Sequence, residues 1–190
     1  MTRQQTQKVA TAVITAIAFI VILPIIYVIG FLVVNGIGAI SWEFLSQPPR
    51  NGMTEGGLLP AILGTIFLTL GTAVASIPLG IGAAIYLAEY AGDNRLTRTI
   101  RLAIVNLAGI PSIVYGLFGL GAFVLFLNFG TSILAGSLTL GLMTLPVLIS
   151  TAEEAIRSVP ADFRVVSLSL GATRWQTIRN QVLPHALPGI

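Results

Sequence analysis

The length of the stretches without a charged residue constrains this chain more than any other feature. Three such stretches cover residues 9–42, 56–88 and 102–152. A helix needs about 20 apolar residues to cross the roughly 30 Å core of a bilayer, so the first two stretches hold one helix each. The third holds two helices, with a turn predicted at residues 128–130. Only 9% of the residues are charged, against about 25% in soluble domains. The pattern predicts an all-α, polytopic membrane protein.

Four expected spans divide the chain into segments that alternate across the membrane. They are residues 9–34, 58–88, 102–127 and 131–152, with connecting segments 35–57 and 89–101 and terminal segments 1–8 and 153–190. Of the 10 basic residues, Arg50 alone lies on the side opposite the other nine. Because basic residues stay on the cytoplasmic side, we expect both terminal segments in the cytoplasm and Arg50 outside, in a multi-pass protein of the cell (inner or plasma) membrane.

A cleaved signal peptide is the alternative interpretation of the first apolar stretch. Signal peptides have an apolar core of about 7–15 residues, and the stretch at residues 9–42 is far longer. The sequence therefore favours an uncleaved first span.

Composition excludes several classes of site. The chain has no cysteine and a single histidine, His185, so no metal site is expected. The net charge is +3, but the basic residues lie between apolar runs and not on a polar, aromatic-rich face, which argues against nucleic acid as a partner. Lys8 is the only lysine, so these residues lack the lysine of the phosphate-binding loop of ATPases. We expect a non-enzymatic transport subunit that binds no cofactor itself.

A first group of candidate pathway residues surrounds a predicted break within the third span. A Gly-Ile-Pro-Ser sequence between Gly109 and Ser112 exposes backbone and hydroxyl groups, which suits a polar path through a membrane protein. The candidates in this region are Asn106, Pro111, Ser112 and Tyr115.

A second group lies at the edge of the last span. Glu153 and Arg157 have the i, i+4 spacing of neighbours on one helix face and can form an ion pair. A solvated pair at the membrane edge and a pair at the inner mouth of a pathway both fit this spacing, and the sequence leaves the choice open.

Residues 158–190 are predicted to form two short amphipathic helices hinged at a glycine. Ser158 is expected to cap the first helix, which ends at Gly171. Thr173 and Gln176 form a T-x-x-Q capping box that opens the second. The expected apolar residues are Phe163, Val166 and Leu170 in the first helix and Trp175, Ile178 and Val182 in the second, which has Arg174, Thr177 and Gln181 on its polar face and ends at Leu183-Pro184.

Three arrangements of this hinged pair fit the amphipathic pattern. The helices can lie on lipid headgroups, pack within their own subunit, or dock into a partner. The physical pattern alone does not choose among them.

The spacing within this tail resembles the EAA loop of ABC importer permeases. Gly171 is followed by nine residues, by Gln181 and then by Val-Leu-Pro at residues 182–184. The family pattern is EAA, three residues, Gly, nine residues, Ile, one residue and Leu-Pro. Here Val-Val-Ser at residues 165–167 occupies the EAA positions, and Gln181 replaces Ile.

Further motifs resemble the permeases of phosphate importers, and among these the second permease, the PstA type. The resemblance covers residues 56–190. Its motifs are GGLLPAILGT at 56–65, PLGI at 78–81, YLAEY at 86–90, GIPSIVYGL at 109–117, and VP at 159–160 followed by LGAT at 170–173.

The resemblance implies a type I ABC importer permease fold with a cytoplasmic coupling-helix loop. The implied partners are a homologous permease, two ATPase subunits that bind ATP, an external phosphate-binding protein and membrane lipid. The residues implied in coupling to the ATPase are Gly171, Thr173, Trp175, Ile178, Leu183 and Pro184. Of these, we expect Trp175, Ile178 and Leu183 to form one face against the docking helix. Ser150 joins the pathway candidates, because family members carry a basic residue at that position.

Family chains continue through about two further spans, so we also expect a C-terminally truncated chain or a fragment. The physical pattern does not identify the transported anion. The alternatives are a permease for another oxyanion such as molybdate or sulfate, a small channel or secondary transporter, and a non-transporting assembly subunit.

Overall fold

The computed structural model describes residues 3–190. Within them the regular elements are helices, and the expected all-α class is confirmed. The helices are α1 (Arg3–Gly36), α2 (Trp42–Ser46), α3 (Leu59–Ile85), α4 (Arg95–Ala108), α5 (Ser112–Gly119), α6 (Ile133–Ser158), α7 (Ala161–Ser169), α8 (Arg174–Thr177) and α9 (Leu183–Ala186). Met1 and Thr2, part of the expected terminal segment 1–8, lie outside the described residues.

Three helical stretches are long and apolar enough to cross a bilayer. They are Thr11–Ala39, Leu59–Tyr90 and Ile133–Ser158. A fourth candidate consists of α4 together with α5 and its extension to Phe126, and these two halves are bent by 95°. The expected multi-pass membrane fold is confirmed.

The first compact unit, Met1–Ile62, contains α1, α2 and the connecting segment that leads to α3. The backbone N–H of Arg50 donates to Glu55 O at 2.7 Å, and that of Leu58 donates to Phe44 O at 2.8 Å. The connecting segment therefore folds back on itself before α3 begins.

The second compact unit, Leu63–Ile190, is organised by α3 and α6, which run parallel. Near their N-terminal ends the Ser137 hydroxyl donates to Leu68 O at 3.4 Å. Farther along, Gly80 approaches Leu148 so closely that an added Cβ would lie 2.6 Å from Leu148 Cδ2. Small residues at such contacts let membrane helices pack closely. Because the two helices are parallel, their C-terminal ends lie together.

The span expected at residues 102–127 is not one continuous helix, and that expectation is wrong. Its first half begins earlier, at Arg95, and the helix is interrupted between Ala108 and Ser112. Pro111 lacks an N–H and disfavours a helical conformation in the residue before it, so α5 begins only after it. Since α3 and α6 are parallel, the chain between them must return along their length. The bent pair is therefore a single broken crossing and not a re-entrant loop.

A hydrophobic core forms where the C-terminal ends of α3 and α6 meet the tail, residues 158–190. Ile156 and Val182 are fully buried there, and Ile178 is only 2% exposed. The other buried members are Ala84, Ile85, Ala152, Ala155, Val159 and Ala186. The second half of the tail thus packs within its own subunit, which was one of the three arrangements left open.

Two helix ends expected in the tail are wrong. Ser158 does not cap α7, because it is the last residue of α6 and its hydroxyl donates to Ala155 O at 2.8 Å. The residue before Pro160 is kept out of the helical region, and α7 begins at Ala161. Pro184 does not end the second helix, because it lies in the first turn of α9, where a missing N–H costs little.

The close packing of α5 on α6 predicts the outcome of a matched pair of glycine substitutions. A Cβ added at Gly119 would lie 2.8 Å from Thr139 Cβ, whereas a Cβ at Gly116 meets nothing within 4 Å. Gly119→Ala should destabilise the protein by about 1–3 kcal/mol. Gly116→Ala should be neutral or slightly stabilising, since alanine favours helix more than glycine does. Denaturant unfolding in mixed micelles compares the two variants, and equal unfolding midpoints would contradict this packing.

Candidate functional site

Charged side chains gather at the shared C-terminal end of α3 and α6. We call Glu153, Arg101 and Arg157 the Glu153 cluster. Within α6, Arg157 Nε lies 3.0 Å from Glu153 Oε1, which confirms the expected i, i+4 contact. From α4, Arg101 Nε lies 2.8 Å from the same oxygen. A single carboxylate oxygen therefore holds two guanidinium groups that come from two helices.

Both arginines of the cluster also bind the end of α3 through its backbone. Arg101 Nη2 donates to Leu87 O at 2.8 Å, and Arg157 Nη2 donates to it at 3.5 Å. Leu87 lies in the π-helical turn Tyr86–Tyr90 that follows α3, where the last carbonyl groups of a helix lack partners within it. Cations at a helix C-terminus are also stabilised by the helix dipole. The cluster thus fastens α4 and α6 to the end of α3.

Burial distinguishes the two ion pairs of the cluster. The exposed fractions of the side chains are 12% for Glu153, 27% for Arg101 and 52% for Arg157. Exposed i, i+4 pairs contribute only about 0.3–0.5 kcal/mol. The pair with Arg101 is therefore the stronger link, because its charges are less screened by water.

The Glu153 cluster lines a cleft of about 310 Å³ between α4 and α6. Ser150 lies in the wall of the cleft, with its hydroxyl donating to Pro146 O at 2.9 Å. Glu154 adds a second carboxylate. The cleft contains two guanidinium and two carboxylate groups, so its charges balance and it does not concentrate anions by net charge.

The pathway residues predicted from the sequence lie in two separate places. Those in the cleft are Ser150, Glu153 and Arg157. Those at the break in the crossing are Asn106, Pro111, Ser112 and Tyr115. At the break, the Tyr115 hydroxyl donates to Leu107 O at 3.0 Å and so joins α5 to the end of α4 across the bend.

Arg101 is the member of the site that the sequence reading missed. It lies 52 positions from Glu153, and helical periodicity identifies only partners about three or four residues apart. One signal was present in the sequence, because Arg101 is the last charged residue before the stretch at 102–152. A cation at the edge of an apolar span needs a partner.

The tail has the expected hinge but not the expected coupling face. Gly171 has a φ of +85°, in the left-handed region that favours glycine. The capping box of Thr173 with Gln176 is present. Trp175 is 52% exposed whereas Ile178 is 2% exposed, so these two side chains do not share a face. The core at the ends of α3 and α6 accommodates Ile178, and Trp175 lies outside it.

Other tail residues also differ from the amphipathic pattern. Thr177, expected on the polar face, is 3% exposed, because its hydroxyl and that of Ser167 form a hydrogen bond of 2.9 Å across the hinge. Leu183 packs at the edge of the core, and Pro184 is exposed.

An open, largely apolar groove of about 470 Å³ lies between the two halves of the tail. We call it the tail groove. Among its lining residues, Val166 is 59% exposed and Leu170 is 83% exposed. The lining consists of Asp162, Phe163, Val166, Ser167, Leu170, Ala172, Gln176, Asn180 and Gln181. Contiguous exposed apolar surface of this kind is typical of a contact site.

Packed parallel spans, a broken crossing and a hinged tail with an apolar groove are the features of a membrane-embedded transport component. The chain belongs to the family of binding-protein-dependent transport system inner membrane components, whose model matches residues 76–190. This match includes both the Glu153 cluster and the tail groove.

The similar proteins are permeases. The chain is 35% identical, over its whole length, to the probable ABC transporter permease protein YqgI of Bacillus subtilis, of which it covers 65%. Over 99% of its length it is 33% identical to the phosphate transport system permease protein PstA 1 of Mycobacterium tuberculosis, of which it covers 63%. The chain thus spans less than two thirds of the length of these relatives. No solved structure matches the chain.

The unequal burial of the Glu153 cluster predicts unequal effects of removing its arginines. Arg101→Ala leaves a mostly buried carboxylate with only an exposed partner and should lower the free energy of unfolding by about 1–3 kcal/mol. Arg157→Ala should lower it by less than about 1 kcal/mol. Unfolding in mixed micelles measures both.

A double variant provides the control for this prediction. Arg101→Ala combined with Glu153→Gln should be more stable than Arg101→Ala alone, because it leaves no buried carboxylate short of a partner. Equal losses from the two single arginine variants would show that Arg101 is not the stronger link.

Proposed function

We propose that this chain is a permease subunit of an ATP-driven importer of inorganic phosphate. Its partners in this proposal are a homologous permease, two ATPase subunits and an external phosphate-binding protein. Family membership supports the class of transport component. Relatives that are named phosphate transport system permeases, from Mycobacterium tuberculosis and Mycobacterium leprae, support phosphate as the transported anion.

The tail groove is the observation that supports coupling to a separate ATPase. Burial of Ile178 and Val182 fixes the second half of the tail to the ends of the spans. Val166, Leu170 and Trp175 remain exposed, and burying apolar surface of this kind against a partner contributes about 25 cal/mol per Å². A soluble ATPase subunit supplies such a surface, as well as the ATP chemistry for which these residues lack a lysine.

The structure changes our assignment of roles within the coupling segment. Trp175 and the tail groove face outward and form the contact with the ATPase. Ile178 and Leu183 attach the segment to the spans and do not touch the partner. Gly171 and Thr173 set the hinge between the two halves. Pro184 lies in the first turn of α9 and has no further role in this proposal.

We orient the protein by its basic residues. Arg101, Arg157 and Arg164 lie together at the C-terminal end of α3 and α6, and Arg174 and Arg179 follow in the tail. By the positive-inside rule this end is cytoplasmic. With four crossings the N-terminus is cytoplasmic as well, and the segment with Arg50 is external.

The translocation pathway in this proposal passes the break near Tyr115 and leaves by the cleft of the Glu153 cluster. The break supplies backbone groups and hydroxyls within the membrane. Balanced charge in the cleft holds an anion weakly, which suits release into the cytoplasm more than capture. The homologous permease completes the pathway on its other side.

Substrate competition tests the anion. The chain is expressed with its cognate ATPase, second permease and binding protein in cells without other phosphate importers, and uptake of radiolabelled phosphate is measured. Excess unlabelled phosphate should abolish uptake, whereas sulfate and molybdate should leave it within about two-fold, since each anion is selected by its own binding protein.

Two other outcomes would favour the alternatives. Transport of labelled molybdate or sulfate in place of phosphate would favour another oxyanion permease. Flux that persists after the ATPase is omitted would favour a channel or a secondary transporter.

The opposite exposure of two tail residues predicts opposite defects. Trp175→Ala should weaken binding of the ATPase by about 30-fold, since a tryptophan hot spot contributes about 2 kcal/mol or more, and should leave the unfolding midpoint unchanged. Ile178→Ala should lower the free energy of unfolding by about 2–5 kcal/mol, because it leaves a cavity in the core. Co-purification of the ATPase and unfolding in mixed micelles separate the two effects. Undiminished ATPase recovery with Trp175→Ala would exclude that side chain from the contact.

A further inference from the structure

Arg164, at the start of α7, binds two spans at once. Its Nε and Nη2 donate to Glu89 Oε1 at 2.9 and 2.7 Å. Its Nη2 and Nη1 also donate to the carbonyl oxygens of Ile156, at 2.9 Å, and Val159, at 2.7 Å. Glu89 belongs to the π-helical turn that follows α3, and Ile156 and Val159 lie at the end of α6. We call this set of contacts the Arg164 junction.

The junction lies in surroundings where its contacts are strong. The exposed fractions of the side chains are 23% for Arg164 and 13% for Glu89. Both groups are charged, and hydrogen bonds between charged partners are about twice as strong as neutral ones. The carbonyl groups at the end of α6 also gain the partners that a helix C-terminus lacks, and the cation complements the helix dipole there.

The first half of the tail depends on this junction, because burial does not hold it. None of the residues of α7 is buried, whereas the second half of the tail contributes Ile178, Val182 and Ala186 to the core. Among the described residues, the hydrogen bonds from α7 to the ends of α3 and α6 all come from Arg164. The other polar and ring contacts of α7 connect it to the tail itself, through Ser167 with Thr177 and Phe163 with His185.

We infer that the Arg164 junction transmits movement between the tail groove and the spans α3 and α6, so that Arg164 and Glu89 are positioning residues for transport coupling. This inference rests on the proposed function. α7 forms one wall of the groove, and a force applied there reaches the membrane through a single guanidinium group. When the pair is broken, α7 still folds and still offers its wall to the ATPase, but its position no longer follows the spans.

Transport per ATP hydrolysed tests the inference in the assembled complex reconstituted in proteoliposomes. Glu89→Gln removes the charge and keeps the shape of the side chain, and it should lower phosphate uptake per ATP hydrolysed by at least about five-fold, the lower range of coupling between linked sites. Arg164→Gln should lower it further, because the carbonyl contacts are also lost. Co-purification of the ATPase should stay at the wild-type level in both variants.

Asp93→Asn is the matched control, because it removes one exposed carboxylate four residues after Glu89, outside the junction. Its coupling ratio should equal that of the wild type. Arg164→Lys keeps the charge but not the forked geometry, and it should restore part of the ratio lost in Arg164→Gln. A coupling ratio unchanged in Glu89→Gln, with an active wild type, would overturn the inference while leaving the proposed function standing.

A distance measurement gives a second readout that does not need the ATPase. The chain has no cysteine, so spin labels can be placed at Tyr86→Cys and Val165→Cys, whose native side chains are 59% and 61% exposed. The distribution of distances should be narrow in the wild type and Asp93→Asn and broad in Glu89→Gln. An equally narrow distribution in Glu89→Gln would show that the junction does not hold α7.

The two readouts separate the failures. A wild-type complex without ATP-dependent uptake would overturn both the proposed function and the coupling role, and the distances would still decide whether the junction fastens α7.

Discussion

The parallel packing of α3 against α6 is the constraint on which the rest of the second unit depends. It brings two helix C-termini side by side, and with them the unpaired carbonyl groups and partial negative charge that each helix end carries. Arg101, Arg157 and Arg164 answer this arrangement, because each donates to a carbonyl group at the end of α3 or α6. The carboxylates of Glu153 and Glu89 then hold these arginines in place. Two charged clusters at one end of the molecule thus follow from one packing relation.

The tail is attached to that end by two different kinds of interaction. Its second half is held by burial of Ile178 and Val182, which is non-directional and tolerates small shifts. α7 is held by the directional contacts of Arg164, which constrain its distance and angle. The hinge at Gly171 separates the two halves. A segment built in this way can keep its attachment to the spans while one wall of the tail groove responds to a partner.

Within the membrane, the interrupted crossing is the feature that departs from a simple bundle. Backbone that is not helical is tolerated at membrane depth only where protein or a polar cavity surrounds it. Tyr115 bridges the bend by its bond to Leu107, and the break lies between two segments that both pack along α6. The break and the cleft of the Glu153 cluster are therefore separate regions of one crossing, which is why the predicted pathway residues divide into two groups.

The sequence by itself determined the all-α membrane class, the approximate spans, the hinge at Gly171 and the capping box of Thr173, because run length and local spacing are properties of neighbouring residues. It also determined the contact of Glu153 with Arg157, one turn apart on a helix. Only the tertiary structure decided that Arg101 binds Glu153, that Glu89 binds Arg164, and that Trp175 is exposed while Ile178 is buried. These depend on which helices pack together and in which direction, and local spacing carries no information about partners 52 or 75 positions away.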